Sequence, residues 1–218
     1  MKNFTVEQFN KKIFGKEPRS LLNDLSNALL VFFVIVFIIF MAFSKVYTGT
    51  LVKGSSMMPT YNPDYLTDNT KYDLAYYTPV KDNAYNRFDI VIATTSQNSD
   101  PIIKRVIGLP GDKIEIKLVN NQFYYVYVND EKLIEDYIYS QEDMVVEYEK
   151  FVNLFGTQLI VPDDSLFILG DNRGHSNDST MYGCFDYSQI LGRVDYSVKS
   201  SETPIISLFI QLFLPIFY

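Results

Sequence analysis

The strongest pattern along the chain is a long apolar stretch near its N-terminus. Residues 25–44 contain no charged side chain and lie between Asp24 and Lys45. An α-helix of about 20 residues is roughly 30 Å long, which matches the hydrocarbon core of a bilayer. The pattern therefore predicts a transmembrane anchor at residues 25–44, after a tail at residues 1–24.

A cleaved secretory signal is the alternative interpretation, because Ala42-Phe43-Ser44 resembles a small-residue cleavage site. The preceding tail of 24 residues is unusually long for a signal peptide, which favours an uncleaved anchor. Basic residues are retained on the cytoplasmic side of a membrane segment. They precede the anchor here, so the sequence predicts a cytoplasmic N-terminus and an extracytoplasmic domain. These basic residues are Lys2, Lys11, Lys12, Lys16 and Arg19.

From residue 47 to about residue 200 the chain has short runs of branched and aromatic residues, bounded by Asn, Asp, Gly and Pro. Such runs are typical of β-strands. VNNQ at residues 119–122 predicts a hairpin turn between two of them. No run with helical periodicity is comparably strong, so the sequence predicts a mainly β domain at residues 45–202. The predicted strands lie at residues 88–95, 113–118, 123–128, 144–149, 158–161 and 165–169.

The last segment, residues 203–218, has no charged side chain. As a helix it would be about 24 Å long, which is short for a membrane span, and Pro204 and Pro215 shorten it further. A second membrane segment and an interfacial helix both remain open. A buried strand is less favoured, because such tails seldom stay apolar to the terminus.

Composition narrows the chemistry that the chain can perform. A formal charge of −7 without basic clusters argues against a nucleic-acid partner. One cysteine, Cys184, and one histidine, His175, exclude an internal disulfide and a Cys- or His-rich metal site. Catalysis would therefore depend on hydroxyls, carboxylates, amides and lysines.

GSSMMPT at residues 54–60 follows the predicted anchor closely. Gly, Ser, Pro and Thr are common in turns, so a simple loop is one interpretation. The other is that this segment exposes a nucleophilic serine beside the membrane. The heptapeptide alone favours the turn, and two further motifs favour the nucleophile.

PIIKRVIGLPGD at residues 101–112 places a lysine inside an apolar strand. Because side chains alternate along a strand, Lys104 shares one face with Ile102 and Val106. Burial there would lower the lysine pKa, and a neutral lysine can take a proton from a serine hydroxyl. The alternative is an edge-strand lysine whose ammonium reaches solvent. LPGD predicts a turn after the strand.

GDNRGHSNDSTMYG at residues 170–183 follows the predicted strand SLFIL directly. A polar surface loop is the simple interpretation of this stretch. It also carries an acid that could pair with Arg105, the residue after the lysine. His175 suggests a Ser-His site, but its side chain should point away from that of its neighbour Ser176.

These three motifs, in this order and behind an N-terminal anchor, resemble those of type I (leader) signal peptidases, membrane-bound Ser-Lys peptidases of the S26 family. By this resemblance Ser56 matches the nucleophile and Lys104 the general base, and Ser55 is a spectator. The endoplasmic-reticulum branch has histidine at the lysine position, so the resemblance is to the bacterial branch. The implied fold is a mainly antiparallel β catalytic domain, with a core at about 47–118 and 160–200 and a smaller β-hairpin excursion at about 119–159.

The resemblance also implies roles for neighbouring residues. Ser176 matches a hydroxyl that hydrogen-bonds and orients the lysine, and Asp178 matches an acid that pairs with Arg105. The turn that supports the site matches Gly170, Asp171 and Asn172. Met57 matches a residue that lines the substrate channel, and the predicted substrate contacts are Met57, Ile102 and Ile103.

Two positions depart from some relatives. Gly54 stands where some members have a serine that helps the oxyanion hole, so the Ser56 backbone N–H would carry more of that work. Thr180 stands where some members have arginine, which would leave Asp178 with one guanidinium partner.

The implied activity is removal of signal peptides from exported preproteins through an acyl-enzyme, with no metal or cofactor. The implied partners are preprotein signal peptides, the lipid bilayer and the secretion translocon, and the implied location is the bacterial cell membrane. Two alternatives stay open. One is a different Ser-Lys peptidase, such as a self-cleaving repressor, which predicts a DNA-binding domain. The other is a non-catalytic, membrane-anchored β-rich interaction module.

Overall fold

A computed structural model describes residues 6, 8, 11, 12, 18–70, 72–95 and 100–199 of the chain. The chain divides into two compact units, residues 1–46 and residues 47–218. The apolar segment predicted at residues 203–218 lies outside the described residues.

In the described part of the first unit there is one long helix, α1 (Pro18–Val46). Proline is well tolerated at the start of a helix because the first N–H groups have no intrahelical acceptor. Residues 22–42 of α1 are long and apolar enough to cross a membrane, and they are not buried against protein. The predicted helix at residues 25–44 is confirmed, and it is longer at both ends.

The second unit contains eleven β-strands in the part of the chain that the structure describes. The strands are β1 (Thr48–Val52), β2 (Asp73–Thr78), β3 (Ile90–Ala93), β4 (Ile102–Gly108), β5 (Lys113–Val119), β6 (Phe123–Val128), β7 (Glu131–Lys132), β8 (Leu159–Ile160), β9 (Ser165–Leu169), β10 (Phe185–Asp186) and β11 (Ile190–Val198).

Two antiparallel sheets are formed by these strands. The larger has the order β1-β2-β11-β3-β4-β9-β10, and the smaller has the order β7-β6-β5-β8. The prediction of a mainly antiparallel β domain is confirmed. β4 lies between β3 and β9, and its residues from Ile103 to Gly108 are all buried. A residue of β4 is therefore shielded by strands on both sides.

The smaller sheet shows how the local sequence directs pairing. In β5, Ile114 and Ile116 are buried while Lys113, Glu115 and Lys117 are partly exposed, which is the alternation of a half-buried strand. Asn120 and Asn121 both have positive φ, and the Gln122 N–H donates to the Val119 carbonyl oxygen. The hairpin turn that VNNQ predicts is thus confirmed, and it is of type I′, because asparagine tolerates positive φ at both central positions.

The turn at LPGD is also confirmed. The smaller sheet begins directly after it, at residue 113, and not at about residue 119 as predicted. The Asp112 N–H donates to the Leu109 carbonyl oxygen, and Gly111 has a φ of 81°. The Asp112 carboxylate accepts from the backbone N–H of Leu109 and from Arg87 and Asn129. The chain leaves the larger sheet at this turn, so residues 113–118, which we expected in the catalytic core, pair with β6 and β8.

Residues 144–149 were predicted to form a strand, and this prediction is wrong. They begin α2 (Met144–Phe155), which ends at Gly156 with φ 75°. Met144, Glu147 and Phe151 are the buried residues of α2, at the spacing of one helix face. The polar Glu147 interrupts that apolar stripe and hid the helical period. A second short helix, α3 (Ser179–Tyr182), lies within the segment predicted as a polar loop.

Candidate active site

Ser56 lies in the turn that follows β1, where its side chain is half-buried. Asn172, in the segment after β9, donates two hydrogen bonds to the backbone of this turn. Its N–H donates to the Ser56 carbonyl oxygen at 3.0 Å, and its side-chain amide donates to the Ser55 carbonyl oxygen at 3.1 Å. The predicted supporting role of Asn172 thus has a physical basis, because two hydrogen bonds fix the peptide that carries the serine.

Lys104 reaches this serine from the middle of β4. Its Nζ lies 2.8 Å from Ser56 Oγ and 2.6 Å from the Ile103 carbonyl oxygen. The residue is 2% exposed, and Val91 of β3 is its cross-strand partner. The prediction that this lysine is buried within a strand is confirmed.

The pKa of Lys104 is lowered from 10.5 to about 8 by burial, which disfavours the ammonium form. The carboxylates of Asp178, Asp171 and Glu147, in this order of strength, oppose the shift. At pH 7, about one unit below this pKa, about a tenth of the molecules would have a neutral Lys104 amine. A neutral amine at 2.8 Å can accept the proton of the Ser56 hydroxyl.

Arg105 forms its ion pair with Asp171 and not with Asp178, so the predicted Arg105–Asp178 pair is wrong. Its Nε and Nη2 donate to the two Asp171 carboxylate oxygens at 2.8 and 2.6 Å. Arg105 pairs with Leu169 across the sheet, and Asp171 follows shortly after Leu169 in the chain. The guanidinium also lies 4.0 Å from the centre of the Tyr137 ring.

Asp178 binds backbone and a hydroxyl instead of a guanidinium. It accepts from the N–H of Gly170 at 3.0 Å, and from the N–H and hydroxyl of Thr180 at 3.1 and 2.9 Å. The Thr180 contact caps α3. Asp178 therefore shapes the turn at residues 170–180, and its negative charge raises the pKa of Lys104.

Ser176 is buried, but it does not make the predicted hydrogen bond to Lys104. Its hydroxyl has no hydrogen-bond partner among the described residues. It packs against Gly170, where a Cβ atom would lie 2.5 Å from the Ser56 carbonyl oxygen and closer still to Ser176 Oγ. Only glycine at this position lets the Ser176 hydroxyl and the Ser56 backbone approach each other.

A cleft of about 130 Å³ opens beside Ser56 and Lys104. Its walls are the end of β1 and the start of β4, residues 50–53 and 100–104, together with Ile92. Ile102 and Ile103 line this cleft as predicted for substrate contacts. Met57, predicted as a substrate contact, is not among the residues that line the cleft. Its side chain is 1% exposed and packs behind the wall, in a core cluster with Val52 and Ile92.

Several residues that hold the Ser56 turn in place were not predicted from the sequence. The Asn62 side-chain amide donates to the carbonyl oxygens of Val52 and Gly54, and its oxygen accepts from the Asp73 N–H. Lys199 donates to the Thr60 carbonyl oxygen and to the Asp73 carboxylate. Asn62-Pro63 signals a turn in the sequence, but nothing local indicates its distant partners.

The remaining candidates do not join the Ser56–Lys104 pair. His175 is exposed, and Ser55 contributes its carbonyl oxygen to the turn. Cys184 is partly buried against a core cluster. Within the described ranges, no group of three or more His, Cys, Asp or Glu residues could hold a metal ion.

Comparison with known proteins gives one consistent family. Residues 25–198 match the family model described as signal peptidase, peptidase S26. The chain is 34% identical to signal peptidase I of Bacillus caldolyticus over 69% of this chain and 79% of that protein. It is 33% identical to signal peptidase I P of Bacillus subtilis subsp. natto, over 83% of this chain and 91% of that protein. It is 32% identical to signal peptidase IB of Staphylococcus aureus strain COL, over 76% of this chain and 83% of that protein.

Among solved structures, a crystal structure of a signal peptidase I from Enterococcus faecalis V583 matches with 32% sequence identity and a TM-score of 0.39. The match covers 51% of this chain and 97% of that structure.

Proposed function

Because this chain belongs to the signal peptidase family, peptidase S26, we propose that it is a serine endopeptidase that removes signal peptides from exported preproteins. Ser56 is the nucleophile and Lys104 is the general base. The observation that carries this assignment is the 2.8 Å distance between Lys104 Nζ and Ser56 Oγ, within a site that buries the lysine. A charged, solvated lysine could not act as a base near neutral pH.

The mechanism is acyl transfer. Neutral Lys104 takes the Ser56 hydroxyl proton while Ser56 Oγ attacks the scissile carbonyl carbon. The tetrahedral intermediate then breaks its C–N bond, and the Lys104 ammonium returns the proton to the leaving amine. Water, deprotonated by Lys104, attacks the resulting ester and releases the product acid and free Ser56. The Ser56 N–H, which has no acceptor among the described residues, is available to stabilise the oxyanion.

Substrate selection follows from the cleft at Ser56. Its volume of about 130 Å³ and its branched wall residues Ile102 and Ile103 leave little room for a large side chain. We expect cleavage to require Ala, Gly or Ser before the scissile bond and a small or aliphatic residue two positions earlier. A fluorogenic signal-peptide substrate series assayed with the purified protein measures this, with the inactive Ser56→Ala variant as the control. Efficient cutting after Phe or Lys would contradict the proposed pocket.

We propose that α1 spans the bacterial cell membrane, with the N-terminus in the cytoplasm and the catalytic domain outside. The support is the apolar stretch at residues 22–42 and the basic residues that precede it. The lipid bilayer is then a partner of the chain, and the secretion translocon is a proposed one because it delivers the substrates.

This topology predicts the result of proteolysis outside spheroplasts. Added protease should degrade the domain that contains Ser56 and spare a fragment of about 5 kDa that holds residues 1–45, since the bilayer shields it. Immunoblots against tags at each terminus would identify the fragments. Protection of the whole domain would contradict the proposed orientation. An additional protected C-terminal fragment would show that residues 203–218 insert into the membrane.

A further inference from the structure

Helix α2 packs against the segment at residues 173–182, and one of its side chains bonds to the backbone of that segment. Lys150 Nζ donates a 2.8 Å hydrogen bond to the Ser176 carbonyl oxygen. The same Nζ lies 3.6 Å from a carboxylate oxygen of Glu147, one turn earlier on the helix. Lys150 therefore links Glu147 of α2 to the peptide group of Ser176.

Glu147 is a buried acidic residue, and burial of a carboxylate without hydrogen bonds is unfavourable. It is 0% exposed, and neither of its carboxyl oxygens has a hydrogen-bond partner in the described part of the chain. Burial and then the charge of Asp178 raise its pKa well above the usual value, while Arg173 and Lys150 oppose that shift. Burying such a group costs free energy, and an apolar residue between Met144 and Phe151 would avoid that cost. Core stability therefore does not explain the Glu147–Lys150 pair.

The peptide that Lys150 holds is close to the reacting groups. The Ser176 side chain packs against Gly170, at a point that also adjoins the Ser56 carbonyl oxygen. Asp178, two residues after Ser176, exerts the strongest charge effect on Lys104. A rotation of the Ser176 peptide would move the Ser176 hydroxyl and shift the turn that carries Asp178.

We propose that Lys150 is a positioning residue for the Ser56–Lys104 pair: paired with buried Glu147, it fixes the Ser176 peptide and so the side chains that pack behind the pair. The inference rests on the proposed function of Ser56 and Lys104. Lys150 does not itself contact the reacting atoms. Its contribution is to hold one arrangement of residues 176–178 while the substrate binds and reacts.

The test compares Lys150→Met and Lys150→Arg in the full-length enzyme with a signal-peptide substrate. Because the bond to Ser176 has a charged donor, we expect Lys150→Met to lower kcat about tenfold while KM changes little. Arginine keeps a charged donor and should restore most of the loss. The matched control is Glu149→Gln, an exposed position on the same helix, which should keep wild-type kinetics. Rates are normalised to the concentration of folded enzyme.

A second measurement does not depend on activity. Lys150→Met should speed hydrogen exchange at residues 173–178, and Glu149→Gln should not. If Lys150→Met does not fold, Lys150→Gln, whose shorter side chain falls short of the Ser176 carbonyl, takes its place in both measurements.

The possible results separate this inference from the proposed function. Wild-type kcat in Lys150→Met, or a kcat in Lys150→Arg as low as in Lys150→Met, would overturn the positioning role alone. A loss confined to thermal stability, with unchanged kcat per folded molecule, would overturn it too. A wild-type enzyme that cleaves no signal peptide would overturn the proposed function, and the inference with it.

Discussion

Replacing either Ser56 or Lys104 by alanine is expected to lower kcat/KM for a signal-peptide substrate by about 10⁴-fold or more, because nucleophile and base act as one unit. The double variant should be hardly worse than either single one, since removing the second member of a broken pair costs little more. Lys104→Arg should be equally inactive, because a guanidinium stays protonated and cannot serve as a base. Rates from a fluorogenic substrate, with circular dichroism to confirm folding, measure all four variants.

Matched controls are available beside each residue. Ser55→Ala removes the neighbouring hydroxyl but keeps the carbonyl oxygen that accepts from Met58 and Asn172. His175→Ala removes the sole histidine of the chain, whose side chain is exposed. Both variants should retain most activity. If His175→Ala were as inactive as Ser56→Ala, the Ser-Lys assignment would be wrong.

Two strands and the catalytic lysine show where prediction from sequence succeeds. β6 and β9 have the predicted bounds, because each is a short branched or aromatic run between turn residues. Lys104 could be recognised because it interrupts an apolar strand, a pattern that changes little with the details of tertiary packing. In both cases the informative residues are local in sequence.

The partner of Arg105 could not be predicted in this way. Asp171 and Asp178 both lie in the polar stretch after β9, and local sequence does not favour one of them. The choice depends on the register of β4 against β9, in which Arg105 faces Leu169 and so brings Asp171 close. Asp178 is meanwhile occupied by the Gly170 and Thr180 backbone N–H groups. A long-range register decides this pairing.

Helix α2 was not predicted from the sequence, for a different reason. Its apolar stripe contains the buried Glu147, and the six residues first assigned to a strand are shorter than two turns of helix. In this protein, the residue that obscured the helical period belongs to the pair that contacts the Ser176 segment.

The pH dependence of kcat/KM tests the physical origin of the base. Because Lys104 must lose its proton before Ser56 can attack, activity should rise with pH along an acid limb whose midpoint reports the free enzyme's Lys104 pKa, about 8. Below that midpoint kcat/KM should fall about tenfold for each pH unit. A Ser-His mechanism would instead place the limb at about 6.5.

The variants for this test are chosen from the two faces of β4. Ile102 and Val106 share the lysine's face and pack in one core cluster, whereas Ile107 packs in another. Ile102→Thr and Val106→Thr should rehydrate the Lys104 ammonium and move the limb upward by about one unit, so that activity falls more at pH 7 than at pH 9. Ile107→Thr is the matched control, and should lower stability without moving the limb. The three carboxylates that act on Lys104, those of Asp178, Asp171 and Glu147, are retained in every variant, so a shift would report hydration alone. A limb that stays in place when both Ile102 and Val106 are made polar would show that burial by this strand does not set the pKa of the base.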